Sequence, residues 1–224
     1  ANMIKIRSMK KMKIALINEN SQAAKNEIIY NSLKNTVEPM GHEVLNFGMY
    51  SADDETQLTY VMNGLLAAIL LNSKAVDFVV TGCGTGEGAM LALNSFPGVL
   101  CGHVTSPLDA YLFGQVNDGN AIAMPFAQGF GWGAELNLDY TFEKLFSTEM
   151  GGGYPKERVV PEQRNKKILD EVKKITHHDI MYVLENIDQD FLKTTVSGEK
   201  FKELFFANCQ VPEIADYIKK VIGE

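Results

Sequence analysis

Short, wholly apolar runs alternate with longer stretches in which apolar residues recur at helical spacing, and this rhythm fills about the first 150 positions. Lys13-Ile14-Ala15-Leu16-Ile17 reads as a buried strand that ends in the polar cluster Asn18-Glu19-Asn20-Ser21. A helix is expected over about 22–40, with Ile28, Ile29 and Leu33 on one side and Gly41 as its stop. Further strands are expected at 44–47, 75–80, 99–104 and 121–125, with helices at 56–72, 89–94, about 106–115 and 132–147. Strand–helix units of this length predict an α/β fold: five parallel strands, doubly wound in the Rossmann-like manner, with helices on both faces.

Gly151-Gly152-Gly153 breaks the pattern. Beyond it a charged helix is expected at 161–175, then two or three short helices whose apolar residues (Ile180, Leu184, Leu192, Phe201, Phe205 and Ile218 among them) await burial. The expected organisation is an N-terminal extension at 1–11, an α/β domain at 12–160 and a C-terminal helical extension at 161–224. That extension is expected to pack on the sheet domain or on a neighbouring subunit.

Composition narrows the function. With 46% hydrophobic and 22% charged residues, the profile is that of an ordinary globular protein. A formal charge of −7 argues against nucleic acid, whose phosphates call for a basic face, but leaves small anionic ligands open. Cys83, Cys101 and Cys209 are too few and too scattered for a disulfide framework or a zinc site, which points to a reducing compartment. The apolar run at 65–71 falls far short of the roughly 20 residues of a membrane span, and no export signal precedes the first strand. The expectation is a cytoplasmic protein that uses neither metal nor cofactor and engages neither membrane nor nucleic acid.

The run Thr81-Gly82-Cys83-Gly84-Thr85-Gly86-Glu87-Gly88 links a strand to a helix and is the strongest chemical signal. In an open parallel sheet, ligands bind beyond the carboxyl ends of the strands. Glycines there let the backbone approach a ligand, and the N–H groups that open the next helix favour an anion. The run has neither the Gly-Lys-Ser/Thr ending of a phosphate-binding loop nor the spacing of the dinucleotide fingerprint. A thiolate at Cys83 would be favoured by the positive end of that helix, and Thr85 could steady a developing oxyanion, which together suit proton removal next to a carbonyl. The alternative for Cys83 is a small buried hydrophobe at a strand end.

With these pieces in order, the chain from 13 to about 175 resembles the ribose-5-phosphate isomerase B and galactose-6-phosphate isomerase family. The resemblance rests on the Cys83-Gly84-Thr85-Gly86 turn with Gly88, Asn94 followed by Pro97-Gly98, Asn117-Asp118-Gly119-Asn120, the glycine cluster at 151–153, and Arg158-Val159. It implies metal-free aldose–ketose isomerisation of a sugar phosphate, through a cis-enediolate, by a homodimer or tetramer with its active sites between subunits. By the same resemblance Cys83 is the proton-abstracting base, and Thr85 with the backbone of Gly84, Gly86 and Gly88 holds the enediolate. Asn117 contacts the substrate, Arg158 binds phosphate, and Lys156 stands near enough in sequence to join it.

The chain also departs from the family pattern. The histidine assigned to ring opening is Val116 here, and the Asp-His pair usual after the first strand is Glu19-Asn20, which are expected to contact the substrate. One phosphate arginine falls near Tyr154, and the arginine usual after the fifth strand is missing, with Gln128 nearby. A substrate unable to close into a stable ring, such as a four-carbon sugar phosphate, needs no ring-opening histidine; otherwise Glu19 or His103 takes that task. The alternatives to an isomerase are a non-catalytic sugar-phosphate binder and a nucleotide-binding domain. Glu87 is expected to favour the helix start, His103 to be a catalytic or a satisfied strand residue, and His177-His178 to diverge on a helix. Arg164, Lys166 and Lys167 are expected on a solvated helix face, and Phe130 and Trp132 to pack under the fifth strand.

Overall fold

The computed structural model describes residues 10–224; most of the proposed N-terminal extension at 1–11 lies outside them. Five strands, β1 (Lys13–Ile17), β2 (Glu43–Asn46), β3 (Phe78–Cys83), β4 (Cys101–His103) and β5 (Ala121–Pro125), form one parallel sheet in the order β2-β1-β3-β5-β4. The doubly wound α/β expectation holds. Around the sheet lie α1 (Asn26–Val37), α2 (Tyr60–Asn72), α3 (Glu87–Asn94), α4 (Pro107–Leu112) and α5 (Ala134–Phe146). Val80 and Ile122 face a core shared with α1 and α5, while Val79 and Ala121 face one shared with α2 and α3.

Element boundaries differ from expectation where side chains cap the backbone. The helix expected over 22–40 is a 3-10 turn (Asn20–Lys25), then α1, then a second 3-10 turn ending at Gly41 with φ +93°. Glu19 caps the first turn by accepting the Ser21 N–H at 2.8 Å. The next helix starts at Tyr60 and not at 56, because the Thr59 hydroxyl accepts the Met62 N–H and sets the first turn. After α4 the chain runs through a π-helical turn (Phe113–Asn117) before it enters β5.

Beyond the glycine cluster come a 3-10 turn (Lys156–Arg158), α6 (Val159–Thr176), and four further helices where two or three were expected. These are α7 (Ile180–Asn186), α8 (Gln189–Val196), α9 (Glu199–Asn208) and α10 (Pro212–Ile222). Asp179 and Asp188 each accept an N–H three residues on, which splits the expected run into separate helices. The extension packs on the sheet domain: Leu184, Leu192, Phe201, Phe205 and Ile218 are buried in the same core as Leu66 and Leu70 of α2. By contrast α6 buries no residue, and Ile168 and Ile175 lie open on it. No helix among the described residues is long and apolar enough to cross a membrane.

Candidate functional site

β3 carries the glycine-rich turn because its end is locked on both sides. The Thr81 hydroxyl donates to the Ile17 carbonyl at 2.7 Å and accepts from the Asn63 amide at 3.1 Å. Gly82 lies where a Cβ would fall 2.3 Å from the Met124 carbonyl oxygen, so only glycine lets β3 approach β5 this closely. Cys83 follows, 8% exposed, and its carbonyl accepts the Phe126 N–H at 2.9 Å while Gly84 accepts that of Ala127. The chain then turns through Gly86 at φ +80°, packed against Met124 and His103, and opens α3.

At this turn the Gly86 N–H donates to the Cys83 sulfur at 3.2 Å. Thr85 stands exposed, its hydroxyl accepting the Glu87 N–H at 3.3 Å. His103, at the end of β4, places Nε2 2.8 Å from the Thr85 carbonyl; facing a carbonyl, that nitrogen donates, and the ring braces the turn. His103 is thus a satisfied residue that holds the site from behind. Glu87 opens the helix, as expected. Burial pushes the thiol of Cys101 up and holds it neutral, so among the three cysteines Cys83 alone combines a hydrogen-bonded sulfur with a place at the turn.

Glu19 and Asn20 stand beside the turn at the end of β1, where Ile17 pairs with Thr81. Glu19 is 3% exposed, and its two carboxylate oxygens take the Ser21 N–H and hydroxyl. Asn20 is exposed and donates its N–H to the Leu58 carbonyl at 2.7 Å. Two further residues join this edge without any prior signal. A Cβ on Gly88 would lie 3.4 Å from the Tyr60 ring and 3.7 Å from the Cys83 sulfur, so Tyr60, the first residue of α2, faces the thiol across that gap. Lys25 donates to the Phe126 carbonyl and to Gln22 Oε1, and stacks over the Phe130 ring with its nitrogen 4.7 Å from the centroid.

The remaining expected residues lie elsewhere. Asn117 precedes β5 and so sits at the opposite edge of the sheet from Cys83, which pairs with the last residue of that strand. It lines a cleft of about 420 Å³ with Phe113, Leu169, Lys173 and His177. Lys156 and Arg158 are exposed on the short turn before α6, beyond Gly153, whose N–H bonds the Gln115 carbonyl. One chain therefore gathers Glu19, Asn20, Cys83, Gly84, Thr85, Gly86 and Gly88, and leaves Asn117 at the far edge of the sheet. Clefts of about 300–460 Å³ open among the described residues, one of them beside the chain leaving β2 at Phe47, Met49 and Tyr50, and Cys83 lines none of these.

Other expectations are settled locally. Phe130 packs edge-on against Phe126, but Trp132 is fully exposed between Gly131 and Gly133 and does not pack under β5. Lys166 pairs with Asp170 at 2.8 Å on α6, and Arg164 and Lys167 are exposed, in keeping with a solvated face. His177 faces the Thr176 hydroxyl while His178 stacks on Tyr182, so the two rings part, but they do so in the extended link between α6 and α7 and not on a helix as expected.

A thiol served by one N–H, beside a hydroxyl and the opening N–H groups of a helix, can remove a proton next to a carbonyl and hold the oxyanion that forms. Comparison with known proteins agrees with that chemistry. The family model described as "Ribose/Galactose Isomerase" matches residues 14–160. The chain belongs to that family. It is an isomerase of the aldose–ketose class, as its relatives are. A second model, described as "Ribose-5-phosphate isomerase", matches residues 175–221 in the helical extension.

Among solved structures, a 4-deoxy-L-threo-5-hexosulose-uronate ketol-isomerase complexed with a tartrate is 67% identical, with a TM-score of 0.93 over 95% of this chain and 100% of its own. The ribose-5-phosphate isomerase of Vibrio parahaemolyticus is 52% identical, with a TM-score of 0.92 over the same shares. The ribose 5-phosphate isomerase of Thermotoga maritima is 26% identical, with a TM-score of 0.54, and covers 72% of this chain but 99% of its own. The first two span the helical extension, whereas the third is shorter.

Proposed function

We propose that this chain isomerises a sugar acid, with 4-deoxy-L-threo-5-hexosulose uronate as substrate and Cys83 as the base. The observation that carries the reading is the intact thiol turn combined with Val116 where the family places its ring-opening histidine. In that substrate C4 bears no hydroxyl and C5 is a ketone, so neither can close a furanose or pyranose ring onto the C1 aldehyde. An open-chain aldehyde needs no ring opening, and Val116 costs nothing. The carboxylate in place of a phosphate likewise fits the loss of arginine at Tyr154 and near Gln128. The 67% identity to a ketol-isomerase of this sugar acid supports the same conclusion.

In the proposed reaction the Cys83 thiolate takes the proton from C2, and its electron pair forms the C1–C2 double bond as the aldehyde oxygen becomes an enediolate oxygen. The Thr85 hydroxyl and the N–H groups of Gly84 and Gly88 hold the enediolate, while the Gly86 N–H serves the sulfur. The C2 hydroxyl proton passes to O1, between the two cis oxygens or through the Thr85 hydroxyl, and the Cys83 thiol gives its proton back at C1 as C2 becomes the carbonyl, giving the ketose with no net change in oxidation state. Asn20 lies within the same edge to contact the substrate, and buried Glu19 fixes the turn that presents it.

A homodimer completes the site in this reading. Asn117 and, beyond it in the chain, Arg158 and Lys156 would be supplied by a second copy, which also closes the open side of the Cys83 turn. Mixing two inactive variants, Cys83→Ala and Asn117→Ala, then regenerates one intact site per hybrid, or about a quarter of wild-type activity for random pairing. No recovery removes the shared site.

A second reading keeps a phosphorylated sugar, including the four-carbon kind. It is favoured by the Vibrio relative and by the description of the model that matches the extension. Assaying the purified protein on the keto-uronate, ribose 5-phosphate and erythrulose 4-phosphate decides between them. Turnover of a phosphate with the keto-uronate untouched sinks the sugar-acid reading. A protein that binds without exchanging solvent deuterium into C1 of the product is a binder and not a catalyst.

A further inference from the structure

Within one chain, the segments that leave the strands at the Cys83 edge are nearly bare of positive charge. The segments leaving the five strands there span 18–25, 47–59, 84–86, 104–106 and 126–133, and among all of them Lys25 is the only lysine or arginine. Acidic residues cluster at one end of that edge: Asp53, Asp54 and Glu55 follow β2, with Asp54 accepting the Tyr50 N–H at 2.6 Å. Lys25 stands at the other side of β1, against the chain leaving β5.

Lys25 is also held in place. Its ammonium donates to the Phe126 carbonyl, and the Phe126 N–H is itself bonded to the Cys83 carbonyl, so one residue separates the cation from the strand end that carries the thiol. Behind it runs a chain of hydrogen bonds: Gln22 Oε1 accepts from Lys25 at 2.8 Å, Gln22 donates to the Ser21 hydroxyl, and Ser21 donates to Glu19. The Phe130 face supports it from one side. Two of its three N–H groups are thereby placed and one is left to donate. Among the described residues no carboxylate pairs with it. A half-buried ammonium fixed by neutral acceptors and left without a counter-ion among the described residues offers that place to an anionic ligand.

We infer that Lys25 anchors the carboxylate of the sugar-acid substrate and so sets its preference for an acid over a neutral sugar; this rests on the sugar-acid reading above. The acidic cluster after β2 repels the same carboxylate, which fixes the direction in which the substrate lies across the edge. Lys25 touches the substrate end remote from the reacting carbons, so it acts on binding and orientation and not on the proton transfer itself.

Titrating tartrate, a small dicarboxylate, into the wild type and into Lys25→Gln and Lys25→Arg by calorimetry tests this. Glutamine keeps a donor for the backbone contact and loses the charge. The expected result is at least a tenfold weaker tartrate affinity for Lys25→Gln, with loss of its dependence on salt, and recovery in Lys25→Arg. On the keto-uronate, KM rises in Lys25→Gln by a larger factor than kcat falls. Equal tartrate binding by wild type and Lys25→Gln, or none by the wild type, overturns the inference while leaving the substrate reading to its own assay. Lys25-dependent tartrate binding without keto-uronate turnover refutes the substrate reading alone.

Discussion

Replacing Gly88 by alanine separates stability from activity in one step. Gly88 is the second residue of α3, and its added methyl would lie 3.4 Å from the Tyr60 ring and 3.7 Å from the Cys83 sulfur, both ordinary contacts with no overlap. Within a helix, alanine in place of glycine stabilises by about 0.4–1 kcal/mol, chiefly by restricting the unfolded chain. For a protein of this size that raises Tm by roughly 1–4 °C. The same methyl occupies the gap between ring and sulfur, where the substrate carbon must come within about 3–3.5 Å of the base. A displacement of about 1 Å costs on the order of 100-fold in rate. Differential scanning calorimetry and kcat/KM for isomerisation, measured on the same preparation, read the two effects. A variant that is more stable yet fully active places the substrate elsewhere and refutes the assignment of this gap; one that loses stability refutes the packing argument.

Cys83→Ser is expected to lower isomerisation and solvent deuterium exchange by about 1000-fold or more, since a hydroxyl is a far poorer base, with circular dichroism and Tm unchanged. Gly86→Ala meets both a left-handed φ of +80° and the Met124 backbone carbon 2.8 Å away, and is expected to cost about 2–4 kcal/mol in urea unfolding. Phe205→Ala removes a fully buried ring that joins the extension to the sheet domain; a loss of about 3–5 kcal/mol in one cooperative transition is expected, and a separate early transition would show the extension to be loosely attached. Asp118 has its carboxyl pushed up by burial, with Lys166 opposing and Asp170 and Glu149 adding to the shift. Its folded form therefore favours the proton, and the stability it gives is present below the ordinary carboxylate range and lost as pH rises through the raised value. Asp118→Asn, which also tolerates the left-handed φ of +48° there, should be more stable than wild type at pH 7, with the gain shrinking towards pH 3 in thermal melts.

The sheet was legible because its strands are short apolar runs with little ambiguity, and the thiol turn because glycine, cysteine and threonine stand together in one place. Boundaries failed where polar side chains decide them. β3 was expected to end at Val80, yet it continues to Cys83 because Thr81 finds Ile17 and Asn63 as partners and Gly82 fits under Met124. Tyr60 gave no signal, since its place beside the sulfur comes from the packing of α2 on α3 and not from any local pattern. Lys25 reads as one more helical lysine until Phe126, just past β5, is seen to deliver a carbonyl to it. Trp132 carries the composition of a core residue but stands between two glycines with nothing to cover it. Asn117 and Cys83 share a motif order in the sequence, while the sheet holds them at opposite rims of a single chain.

The all-round apolar character of α2, buried along Asn63–Leu70, follows from its place between the sheet and the extension. A central helix with no watery flank ties two stretches of gene together. Trimming the chain after the glycine cluster would leave a greasy ridge seeking other surfaces, so the short form of this enzyme should be insoluble unless Leu66 or Leu70 turns polar as well. By the same reasoning, shorter members of the family should carry charged or amide residues along the outer side of this helix, and the two lengths of protein should not exchange it freely.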